Sequence, residues 1–87
     1  LLFVGFQCGS PEMEGAKLAI QQKNFSRAQE LLEKEVATNP KNEDAWFALG
    51  QIRIELNNLQ GMMEAFAHAQ EAGSIHSSEI ANIKLRL

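Results

Sequence analysis

The sequence predicts an all-α fold of about five helices, arranged as antiparallel helix–turn–helix pairs stacked into a short solenoid. Apolar residues recur at three- and four-residue spacings through five successive segments. The sequence contains no alternating stretch of β-branched residues and no Asn-Gly or Asp-Gly hairpin turn. Offset by 34 residues, the chain lines up with itself: Ala16 falls on Gly50, Leu18 on Ile52, Ile20 on Ile54, Asn24 on Asn58, Phe25 on Leu59, Glu30 on Glu64 and Leu32 on Phe66. A further shift puts Trp46 on Ile80 and Leu49 on Ile83. A helical hairpin recurring at one period leaves an apolar side uncovered until the next hairpin sits on it.

Each element has its own local cause. Ser10-Pro11-Glu12 reads as a helix start: a hydroxyl cap, a proline whose missing N–H costs nothing there, and an acid at the positive dipole end. The helix runs to about residue 22 with Met13, Ala16, Leu18, Ala19 and Ile20 as its apolar positions, and Lys23-Asn24 breaks it. A second helix starts near Ser26, carries Ala28, Leu31, Leu32 and Val36 inward, and ends at Thr38-Asn39-Pro40; Phe25 precedes it, placed to close the hairpin. Asn42 caps a third helix with Glu43 and Asp44 in its first turn and Ala45, Trp46, Leu49, Ile52 and Leu56 as a stripe. Asn57-Asn58 forms a turn. A fourth helix covers residues 59–72 with Met62, Ala65, Phe66 and Ala69 inward, Met63 half-exposed and Gly73 as the stop. Ser77 or Ser78 caps a last helix whose Ile80, Ile83 and Leu87 share a face.

Residues 43–74 carry more than a period. Trp46-x-x-Leu49-Gly50, Asn57 at the turn, and Phe66 and Ala69 on the second helix resemble the tetratricopeptide repeat, and residues 9–42 carry a weaker copy in Ala16, Phe25, Ala28, Leu32 and Asn39-Pro40. The resemblance covers roughly 65 of the 87 residues. It implies a right-handed α-solenoid with one repeat over about residues 9–42, a second over about 43–76, and over 77–87 the first helix of a third repeat or a capping helix. Arg53, Met62, Ser74 and Glu35 depart from the pattern, standing where an aromatic, Ala, Pro and Ala are usual. Gly61 in the first turn of the fourth helix costs up to about 1 kcal/mol relative to Ala. These departures predict a second hairpin packed less tightly than the family norm.

Composition narrows the chemistry. Eight Lys+Arg against eleven Asp+Glu give a net charge of −3, which provides no field for collecting nucleic acid. One cysteine excludes an internal disulfide and any multi-Cys zinc site. No Ser/His/Asp or Cys/His constellation and no phosphate-cradling glycine motif is present. Glu64 precedes His68 by one helical turn and Glu79 follows His76 by three residues, a spacing that reads as surface Glu–His pairing rather than a metal site. The chain is therefore expected to be no enzyme, to use no cofactor or metal, and to take neither a small-molecule substrate nor nucleic acid.

The first residues carry a separate signal. Leu1-Leu2-Phe3-Val4-Gly5-Phe6 is too short to span a bilayer. An apolar run ending at Cys8 before Gly9-Ser10 resembles a bacterial lipoprotein signal peptide, in which the cysteine accepts a lipid and becomes the first mature residue. Gln7 departs from the small residue usual before that cysteine. This resemblance implies that residues 1–8 are a signal remnant ending at the lipid acceptor, and that the domain is tethered in the bacterial cell envelope on the periplasmic side of a membrane. The alternative is a free thiol beside an apolar edge of the fold, in a cytoplasmic protein.

The resemblance also implies a function, a non-catalytic protein–protein adaptor whose concave face holds a partner helix or peptide. The face is expected to show Met13, Lys17, Ile20 and Gln21 from the first helix and Asp44, Phe47, Gln51, Ile54 and Glu55 from the third, continued by Ala81 and Leu85. Phe47 stands opposite the Trp46/Leu49 stripe, as a binding anchor or as cover for an N-terminal segment; as an anchor, it should be removable at a cost within about 1 kcal/mol. Some members of the family grip a partner's C-terminal carboxylate with Lys and Asn. Here those positions read Met13, Lys17, Ala48, Ala81 and Leu85, so an acidic tail is disfavoured. The alternative is a structural spacer or self-association module, in which Ile80, Ile83 and Leu87 are covered by missing repeats or by another copy of the chain.

Overall fold

The computed structural model describes residues 11–73 and 76–86, with side chains to residue 83. Five helices follow in order: α1 (Pro11–Gln21), α2 (Phe25–Thr38), α3 (Glu43–Glu55), α4 (Leu59–Ala72) and α5 (Ser77–Arg86). Among the described residues there is no strand. Helices α1 and α2 pair, α3 and α4 pair, and α2 packs on α3 to join the pairs. The expected helical-repeat solenoid is the fold found. Ser10, Cys8, Ser74 and Leu87 lie outside the described residues, as does the signal remnant over 1–8.

The turn inside each hairpin repeats atom for atom. Lys23 and Asn57, 34 positions apart, both take left-handed backbone angles, φ 60° and 62°. Such a residue costs roughly 1–2 kcal/mol in strain, which the surrounding bonds must offset. In each turn the following amide reaches back five residues, Asn24 N–H to Ala19 O at 2.8 Å and Asn58 N–H to Arg53 O at 2.8 Å, closing α1 and α3 with a Schellman pattern. The same asparagines then cap the next helix. Asn24 Oδ1 accepts from the Arg27 N–H at 3.3 Å and Asn58 Oδ1 from the Gly61 N–H at 3.0 Å. Helix α2 thus starts at Phe25, one residue before the sequence placed it, because Asn24 and not Ser26 is the cap.

The connection between hairpins is tied by buried Glu35. Its Oε2 accepts from Asn42 Nδ2 at 2.9 Å and from Asn39 Nδ2 at 3.5 Å, while Asn42 Oδ1 accepts from the Ala45 N–H at 3.1 Å. One asparagine therefore caps α3 and satisfies the carboxylate of α2. The Trp46 indole N–H donates to Pro40 O at 2.8 Å, fixing the same loop from the other side.

Two apolar cores run through the stack. The first joins Ala16 and Ala19 of α1, Ala28, Leu31, Leu32 and Val36 of α2, Ala45, Leu49 and Ile52 of α3, and Ala65 of α4. The second joins Phe47, Met62, Phe66, Ala69 and Ile80, from α3, α4 and α5. Trp46 packs against both. Neither core belongs to one hairpin, which is the arrangement a stack needs.

The second hairpin is not loosely packed. A Cβ on Gly50 would collide with the ring of fully buried Phe66, so the missing methyl is what lets α3 and α4 approach. Gly61 has a comparable use. A Cβ there would stand 2.9 Å from Arg53 Cδ. Arg53, whose side chain is only 14% exposed, passes that gap and donates to Gly61 O at 2.9 Å, Gln29 Oε1 at 3.2 Å and Glu33 Oε2 at 3.2 Å. It joins α2, α3 and α4 where the family usually has an aromatic. Leu18, an apolar position of α1, is 54% exposed, and Leu59, aligned with half-buried Phe25, lies open to solvent.

Candidate functional site

The residues expected on the concave face separate into two sets. Lys17, Asp44, Gln51 and Glu55 are exposed, whereas Met13, Ile20 and Ile54 are half-buried and Phe47 is 8% exposed. Ile54 packs against the second core beside Ile83, and Met13 and Ile20 pack against the first. The offset of 34 pairs Met13 with Phe47 and Ile20 with Ile54. The apolar set thus occupies one repeated pair of positions packed against the cores, and Phe47 shows how it is used: its ring meets Phe66 of α4 at 5.7 Å and His76 at the start of α5 at 4.1 Å between centroids. Phe47 is core, and the expectation of an exposed anchor is corrected.

A second stripe lies one step around each helix. On α3 it is Ala48, Gln51 and Glu55; 34 residues earlier stand Glu14, Lys17 and Gln21; 34 residues later stand Asn82 and Leu85, and Ser78, the counterpart of Asp44, lies one turn before Asn82. Ala48 is half-buried and every other member with a described side chain is exposed. Glu14, Lys17 and Gln21 line an open recess on α1 together with Gly15 and Leu18. Apart from Ala48 and Leu85 the stripe is polar, built of amides, one lysine, two glutamates and a hydroxyl.

Ile80, offered as a surface for another copy, is 1% exposed against Phe47, Phe66 and Ala69, and Ile83 packs on the same core. Ile80 and Ile83 thus pack on the second hairpin, which corrects the proposed self-association surface at those two positions. Leu87 and the side chain of Leu85 lie outside the description.

The residue that sequence reasoning undervalued is His76. Its Nδ1 lies 2.7 Å from Glu79 Oε1, the pairing expected from spacing, and its Nε2 lies 2.6 Å from Asp44 Oδ1, 32 residues away. Its ring is parallel to that of Phe47 within 3°. Burial disfavours the charged ring, but hydrogen bonds and charge from Asp44 and Glu79 outweigh it and raise the pKa above the ordinary 6.5. The two carboxylates sit at opposite ring nitrogens, so three ligands do not converge on one point; no metal-binding group occurs among the described residues. His68 pairs with Glu71 at 3.5 Å, not with Glu64, and stacks on Trp46 at 4.3 Å.

Comparison with known proteins bears on this architecture. The tetratricopeptide repeat family model matches residues 19–77, more than half of the chain. The chain belongs to the tetratricopeptide repeat family. No curated protein and no solved structure matches it. Repeats of this family are protein–protein interaction modules and are typically non-catalytic. Among the described residues no helix is long and apolar enough to cross a membrane.

Proposed function

We propose that this tetratricopeptide-repeat chain is a non-catalytic adaptor that holds a partner polypeptide along the polar stripe of α1, α3 and α5. The supporting observation is the recurrence of exposed polar side chains at the 34-residue stride between α1 and α3, Lys17 with Gln51 and Gln21 with Glu55, while the apolar positions beside them are consumed by packing. A stripe of this kind suits an extended segment whose backbone amides and carbonyls need partners: Gln51, Gln21 and Asn82 each offer both a donor and an acceptor. Lys17 and Glu55 set its direction by charge.

The test is a triple variant, Lys17→Glu, Gln51→Ala and Glu55→Lys. These side chains touch solvent, so stability should move by no more than about 0.5 kcal/mol each. Capture of a partner by the wild-type chain should be lost. Retention of that partner by the folded triple variant would remove the stripe from the interface.

We further propose a lipid tether at Cys8 and residence on the periplasmic side of a bacterial membrane. The support is the order of the apolar run, the lone cysteine and the small residues after it. Intact mass after expression in a bacterial host decides: a chain beginning at acylated Cys8 is expected, and an unmodified chain retaining Leu1 would refute the tether.

A further inference from the structure

We propose that His76 is a proton-operated latch: with both ring nitrogens protonated it clamps α5 to the second hairpin, and loss of one proton frees one carboxylate and loosens α5. The argument begins with hydrogen-bond chemistry. A neutral imidazole has one N–H and one lone pair, and only the imidazolium can donate at both nitrogens. Here each nitrogen faces a carboxylate oxygen, at 2.6 Å on Asp44 of α3 and at 2.7 Å on Glu79 of α5. In the neutral ring one of those contacts sets a lone pair against an anion. The face of the ring adds a second preference, because the parallel Phe47 ring at 4.1 Å favours a cation above it.

Placement makes this chemistry consequential. His76 sits just before α5, its carbonyl accepts the Ile80 N–H at 2.9 Å, and Ile80 fills the second core. The Nε2–Asp44 bond crosses from the α5 end of the chain to the first turn of α3. Glu43 of α3 directs its carboxylate at Gly73, and on α4 His68 is engaged with Glu71 and Trp46. The raised pKa agrees in sign: the folded form binds the proton more tightly than an ordinary histidine does. The latch is therefore fully engaged below about pH 6.5 and is lost as pH rises through the higher folded value. This inference concerns the seating of α5 and holds whether or not the stripe takes a partner.

Amide hydrogen exchange of residues 77–86, corrected for intrinsic rates, tests it on the whole chain between about pH 5.5 and about pH 8.5. Protection of α5 should fall several-fold across that range while α1 and α2 stay level. In His76→Gln the α5 protection should be flat with pH and sit at the alkaline wild-type level. Flat protection in the wild type, or the same slope in His76→Gln, would overturn the latch. A second measurement follows the His76 ring by NMR titration. Asp44→Asn should lower its midpoint, and an unmoved midpoint would also refute the proposal.

Discussion

At the point of closest helix approach the first hairpin places Ala16 and Leu32, both buried, and the second places Gly50 and Phe66 at the same two positions. One pair divides the space between a methyl and a branched chain; the other gives it all to a ring and leaves no methyl. What the repeat keeps constant is the volume between the axes, not the residue on either side. The hairpins also differ at their outer ends. The first closes on the second through a buried acid, Glu35, and the second receives α5 through stacked rings and His76.

Four substitutions probe that contrast. Phe47→Ala should have the largest effect, a loss of about 3 kcal/mol in urea denaturation, because it removes a buried ring shared with Phe66 and His76. A loss under about 1 kcal/mol would restore Phe47 to the surface. Gly50→Ala should cost about 2 kcal/mol despite better helix propensity, since its Cβ meets Phe66. Adding Phe66→Leu rebuilds the first hairpin's pair, so the double variant should be more stable than Gly50→Ala alone. Gly61→Ala should be smallest, a loss of about 1 kcal/mol where propensity alone gives a gain. Its Cβ displaces Arg53 and Asn58, and a gain in thermal denaturation would show that Arg53 can move aside at little cost.

The helices and their stride were legible because caps and turns leave local marks, such as Asn24 and Asn58 at equal spacing. The register of the groove was not. Phe47 and Gln51 differ by only about 40° around the axis, so helical periodicity alone does not separate the side facing the next hairpin from the side facing the groove. Phe47 lies off the Trp46/Leu49 stripe, which suggested an anchor; the offset pairing of Phe47 with Met13 and Ile54 with Ile20 was the signal that both belong to packing. His76 was legible to half its extent, since Glu79 is near in sequence and Asp44 is not. Arg53 read as a defect in the pattern, because a cation in an aromatic's place shows its value only when Gln29, Glu33 and the Gly61 carbonyl are seen around it.

Asn42 spends one end of its amide on the helix it begins and the other on Glu35 of the helix before. The border between the two units is thus held in common, and neither can be lifted out as a cassette. Grafting the second hairpin onto a foreign neighbour without an acid at that site would take the acceptor from the Asn42 amide, and grafting the first would take from Glu35 its 2.9 Å donor. Anyone shuffling these units should cut within the hairpin turns at Lys23 or Asn57, where the chain is local in its bonding, and carry Glu35 and Asn42 together.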